Sequence, residues 1–158
     1  MRNLAALTLA LLVTGPALGQ APVISKVELQ ACGVYERTVE RREDDARSAS
    51  GKRTIVQDHR LVNETTRIPG RVGLHFGCQV VLQGAPADGL ATFRAVLRLP
   101  PGARREELSG SQAYNIGEPG HVGYTFGSGD ALAYGEWTLQ IWVDERKLAE
   151  KTFVVGAD

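Results

Sequence analysis

The sequence predicts an all-β fold, an immunoglobulin-like antiparallel β-sandwich of about seven strands, and three observations carry that expectation. Apolar residues recur at every second position in several short runs, the spacing that buries one face of a strand and leaves the other wet. Eighteen glycines and seven prolines break the chain at the short intervals of an all-β sandwich rather than at helical lengths. Two cysteines, Cys32 and Cys78, are placed to pair in an oxidising compartment. An open barrel is the second architecture that fits.

Residues 1–19 read as an export leader: Arg2 supplies a basic start, an apolar run follows to Val13, and Ala17 and Gly19 are the small residues that a signal peptidase needs. Cleavage after Gly19 leaves residues 20–158 as a single sandwich domain. The apolar run is shorter than the roughly 20 residues that span a bilayer, and no later segment is longer, so no transmembrane segment is expected in the mature chain.

In the first strand, Val23, Val27, Leu29 and Ala31 share one face. Cys32 and Val34 fall on the wrong parity, which a bulge between Ala31 and Gly33 would repair, with Gly33 as its expected residue. Residues 36–52 mix charges of both signs without apolar periodicity and read as a long solvated connection. Residues 54–62 form a weak strand candidate, and Asn63, Glu64 and Thr65 spell a glycosylation sequon, relevant only in a eukaryotic secretory pathway.

After Pro69 and Gly70 comes a clear period-two run: Val72, Leu74, Phe76, Cys78, Val80 and Leu82 face inward, with Arg71, Gly73, His75, Gly77, Gln79 and Gln83 opposite. Residues 85–89 make a turn. Phe93, Ala95, Leu97 and Leu99 alternate with Thr92, Arg94, Val96 and Arg98 until Pro100 and Pro101 end the pairing. Residues 103–108 suggest one helical turn. Val122, Tyr124 and Phe126 mark another strand. A hairpin closes the chain: Trp137, Leu139, Ile141 and Val143 form one apolar row, and Phe153 and Val155 supply a second.

Little of this carries chemistry. Formal charge is zero over the whole chain, which favours neither nucleic acid nor an anionic membrane as partner. Cys32 and Cys78 are read as a structural disulfide that stabilises by ~4 kcal/mol on the loop-entropy model. None of His59, His75 and His121 sits in a metal-binding spacing. A metal site would need His75 or His121 to meet carboxylates such as Glu118 or Asp130 across strands, so the three are expected on the solvated surface and no metal or cofactor is assigned. Gly127, Ser128 and Gly129 read as a turn rather than a nucleophile elbow. Glu43, Asp44 and Asp45 lie in a charge run where solvation is expected rather than acid–base work. No catalytic residue is assigned and an enzyme is not expected. Strand alternation turns Trp142 away from the core beside Gln140, so Trp142, Gln140 and Tyr134 form the expected partner surface. The alternative is that a loop, or the segment after Pro101, covers Trp142; Tyr35 shares the ambiguity of Tyr134.

Several stretches resemble a family of exported bacterial domains of unknown function with an immunoglobulin-like fold. They are Gly33, Val34, Tyr35 and Glu36; Ile68 and Pro69 with Gly73, Phe76 and Gly77; Gly123, Tyr124 and Phe126; and the hairpin of Gly135, Trp137, Thr138, Gln140 and Trp142 with Leu148, Glu150 and Phe153. The resemblance spans almost all of the mature chain and implies the fold and an exported location, periplasmic or secreted. It brings no catalytic residues. The charged segment after Glu36 and the two cysteines stand as departures from the family's usual pattern. The expected function is a non-enzymatic binding module for an unknown protein or small ligand of the envelope. A structural or accessory envelope domain is the alternative, and a hydrolase or metal-dependent enzyme with a loop-built site is the third reading.

Overall fold

Nine strands, rather than seven, make up the described part of the chain. A computed structural model describes residues 19–44, 52–127 and 132–157, with side chains described at all of these except 39, 40 and 52–57. Apart from Gly19, the expected leader lies outside these residues. The strands are β1 (Val23–Asp44), β2 (Lys52–Glu64), β3 (Arg67–Pro69), β4 (His75–Ala85), β5 (Leu90–Arg98), β6 (Glu107–Asn115), β7 (Pro119–Thr125), β8 (Gly135–Val143) and β9 (Arg146–Gly156). They form a four-stranded sheet in the order β2-β1-β4-β7 and a five-stranded sheet in the order β3-β9-β8-β5-β6. Every pairing is antiparallel except β3 with β9.

The inward rows read from the sequence meet between the two sheets. Phe76, Cys78, Val80 and Leu82 of β4 face Phe93 and Leu97 of β5, Trp137, Leu139 and Ile141 of β8, and Phe153 and Val155 of β9, all buried in one cluster. Trp137 stands at its centre, edge-on to Phe76 and Phe126 with ring centroids 6.0 and 5.5 Å away. Its indole Nε1 donates to the Ala133 carbonyl at 2.8 Å, so the one polar atom of the largest core side chain is satisfied. Three residues assigned inward do not comply: Ala31 lies with Tyr35, His59 and His121 on the outer face, and the other two are Val72 and Val23. Val72 precedes β4 and is 54% exposed. Val23 is exposed while Ile24 is buried, because a register shift between Ile24 and Lys26 flips the parity of the strand start.

The bulge expected near Cys32 is present as a register shift between Gln30 and Gly33. Ala31, not Gly33, takes the left-handed backbone, with φ 45°. The shift turns Cys32 inward to bond Cys78. The disulfide therefore staples neighbouring strands β1 and β4 of one sheet, rather than one sheet to the other.

Residues 36–44 are not a loop. They extend β1 beyond its pairing with β4, and with β2 they form a two-stranded ribbon in which Arg37 stands opposite His59 and Asp44 opposite Lys52. A ribbon wet on much of both faces needs no apolar row, so it lacks the signal by which strands are read. Residues 45–51 lie outside the described part. The helical turn expected at 103–108 is also absent: a turn at 101–104 leads into β6 at Glu107. Among the described residues no helix is long and apolar enough to cross a membrane.

Candidate metal centre

On the outer face of the four-stranded sheet, register brings together residues far apart in sequence. Residues directly opposite on adjacent strands point to the same face. Tyr35 of β1, His75 of β4 and Thr125 of β7 form one cross-strand row, and Gln79 and His121 form another. Between these rows runs a rung of three glycines, Gly33, Gly77 and Gly123. The rung carries no side chains, so imidazoles from the flanking rows lean across it and meet. His75 Nε2 and His121 Nε2 are 2.8 Å apart. A Cβ at Gly123 would stand 2.8 Å from His121 Nε2 and 2.9 Å from His75 Nε2, and 2.4 Å from the Phe76 carbonyl.

The third imidazole comes from the ribbon. His59 of β2 stacks on His121 with centroids 4.0 Å apart and planes 19° from parallel, so the ribbon bends over this face. Tyr35 meets the other side of His121 edge-on at 4.5 Å, while its hydroxyl donates to the Ala31 carbonyl. His75 Nδ1 is 2.8 Å from Thr125 Oγ1. One ring nitrogen from each of His59, His75 and His121 lies within 4.8 Å of the others.

Burial sets the charge state. His75 is 7% exposed, and its pKa is held down to about 2, first by desolvation and then by the neighbouring His121, Arg37 and His59. His121 is held down to about 3 by burial, His59 and Arg37. The His59 pKa is also lowered, by burial and Arg37, with Asp58 opposing. All three are neutral bases at physiological pH, which is the form that ligates a metal. Two facing Nε2 atoms at hydrogen-bond distance share one proton when no ion is present. Were both to ligate through Nε2, both imidazoles would carry their one proton on Nδ1, and His75 Nδ1–H would have Thr125 Oγ1 as acceptor. This is the outer hydrogen bond that fixes a metal-binding tautomer. Three imidazoles suit zinc, copper, nickel or iron rather than calcium or magnesium, which take oxygen ligands.

The expectation of solvated histidines is therefore corrected. His75 is buried, and the three side chains converge on one another rather than on carboxylates. Glu118 is bonded to Asn115, and Asp130 lies outside the described residues. Among the described residues no acid or cysteine joins the cluster. No sequence spacing could reveal it, because three strands contribute one ligand each. The glycines that carry the family resemblance were the available clue, since Gly33, Gly77 and Gly123 make the rung.

Residues 24–155 match a family described as a domain of unknown function, DUF3859. The chain belongs to that family. An immunoglobulin-like protein from Pseudomonas aeruginosa, solved by crystallography, has the same fold: it is 22% identical, with a TM-score of 0.56 over 89% of this chain and all of the other. No curated protein is similar enough to this chain to count as a match.

The aromatic surface expected for this DUF3859 member is on the opposite side of the molecule, on the outer face of the five-stranded sheet. Trp142 turns away from Trp137 as alternation requires, and neighbours on its own sheet lie against it, leaving it half-buried. The Arg94 guanidinium lies 5.6 Å from its ring centroid, and its Nε1 donates to Gln140 Oε1 at 3.0 Å. Gln140 is only 8% exposed and reaches on to Glu150, so it is a support for Trp142 rather than a contact residue. Tyr134 is 57% exposed and precedes the start of β8, whereas Trp142 is near its end. The three residues do not form one patch.

Proposed function

We propose that this domain is an exported, non-enzymatic binding module whose ligand is a transition-metal ion held by His59, His75 and His121. The observation that carries the reading is the convergence of three neutral imidazoles over a rung of glycines, with Thr125 placed to fix one tautomer. Gathering three imidazoles, one buried and two half-buried, gains little for a core that lies on the other face of the sheet; as ligands, their placement has a use. Export is supported by the leader-like N-terminus and by a disulfide of the sort that persists in oxidising compartments.

Equilibrium dialysis of the purified domain against zinc tests the site. One ion per chain is expected, with affinity falling about 10- to 100-fold or more when His75 or His121 is replaced by Ala. Absence of saturable zinc, copper and nickel binding would overturn the reading. Cell fractionation tests export: full-length protein retained in the cytoplasm with two free thiols would remove that part.

A further inference from the structure

We infer that the metal ion in this site takes a small oxyanion, a carboxylate or a phosphate, as an additional ligand, with Arg37 as the anion's charge partner. The inference rests on the metal-binding reading above and deepens it.

Charge balance is the reason. A divalent ion held by three neutral imidazoles keeps both of its charges, because no carboxylate or thiolate belongs to the cluster among the described residues. Four-coordinate ions with three protein ligands leave one position for an outside ligand. Arg37 adds a third positive charge. It stands opposite His59 in the ribbon, is half-buried, and lines the same recess as His75.

The surrounding groups do not cancel this excess. Arg60 is engaged with Glu36, and Asp58 is one exposed carboxylate whose Oδ1 already accepts from the His59 backbone N–H. Tyr35 directs its hydroxyl to Ala31. Arg37, Asp58, Arg71 and His75 all line one open recess of about 670 Å³ beside the cluster, wide enough to admit a small anion. A site with this charge pattern binds metal and anion with positive cooperativity, each raising the affinity for the other by the same factor. Arg37 opposes the first ligand and attracts the second.

Cobalt(II) reports both events through its visible absorption. The cobalt-loaded domain is titrated with azide as an inner-sphere probe, and with acetate and phosphate as the two oxyanion classes. A saturable spectral change is expected with azide and with at least one oxyanion, and the tighter of the two identifies the class. Arg37→Met should weaken that oxyanion about tenfold, the scale of one partly screened charge, while tightening cobalt in anion-free buffer. Arg37→Lys, which keeps the charge, should retain most of the oxyanion affinity. Opposite signs for metal and anion are the signature, since a variant that merely loosened the ribbon would weaken both. Cobalt binding with no response to any of the three anions, or parallel losses in Arg37→Met, would overturn the inference and leave the metal site standing. Failure of cobalt to bind at all would remove both.

Discussion

At the scale of single residues, the site depends on the absence of a side chain as much as on the three that are present. Gly123 sits where a methyl group would press on both imidazoles and on a backbone carbonyl of β4. The carbonyl cannot swing away as the end of a long side chain could. Gly123→Ala should therefore destabilise the fold by about 1–3 kcal/mol, the usual cost of overpacking, and weaken zinc binding in the same protein; denaturant midpoints and dialysis check the two effects. Buried His75 and half-buried His121 also fix the response to acid. Their folded-state pKa values lie near 2 and 3, below the ordinary 6.5, so between those limits the unfolded chain binds more protons than the folded one. The metal-free protein is then most stable above pH 6.5 and loses stability as pH falls, by up to about 1.4 kcal/mol per pH unit for each histidine. His75→Gln should show a shallower loss between pH 6.5 and 4.5 in urea titrations, and an equal slope would remove burial of His75 as its cause. None of this was legible from single residues. His75 reads as an outward position on a half-buried strand, which it is, and side chains of other strands, His59, His121 and Thr125 among them, gather around it.

At the scale of elements, strands with long inward rows announced themselves, β2 was legible only as a weak candidate at 54–62, and β6 and the ribbon end of β1 were not legible. β4, β5, β8 and β9 carry long inward rows and were read with nearly correct bounds. β6 presents Leu108, Gly110, Gln112 and Tyr114 inward, a row interrupted by a glycine and an amide, so its apolar period is too weak to see. The ribbon end of β1 is held by cross-strand hydrogen bonds and pairs such as Arg60 with Glu36 rather than by burial. Parity did succeed at the bulge, because a cysteine on the wrong face demanded a shift in register. The disulfide made possible by that shift ties β1 to β4 beside the glycine rung and closes a loop spanning 46 residues. Replacing both cysteines with Ser should cost about 4 kcal/mol on the loop-entropy model, readable as a lower urea midpoint. The loss should be larger than for any single change in the exposed ribbon, where charge pairs contribute at most about 1 kcal/mol.

At the scale of the whole molecule, the sandwich was legible because its interior obeys one simple rule of alternation, whereas the candidate site was not, because it belongs to the outer face. The two faces of the four-stranded sheet are nevertheless built by the same strands. Phe76 and Cys78 enter the core while His75 and Gly77 shape the site, and Val122 and Gly123 divide in the same way on β7. Any motion that separates β4 from β7 thus breaks the core and the ligand set together. The unfolded chain offers no such set, since His75 and His121 are 46 residues apart and His59 belongs to a third strand. An ion that binds only the folded form stabilises it by mass action, by about 2.7 kcal/mol when free zinc is 100 times its dissociation constant. For a domain of this size that corresponds to a rise of roughly 5–11 °C in Tm. The rise should grow with the logarithm of zinc concentration and disappear in a His59, His75 and His121 to Ala triple variant whose metal-free melting is still cooperative. A triple variant that still gained stability from zinc would place the ion elsewhere on the molecule, because nothing but the joined faces of β4 and β7, closed over by β2, brings these three imidazoles together.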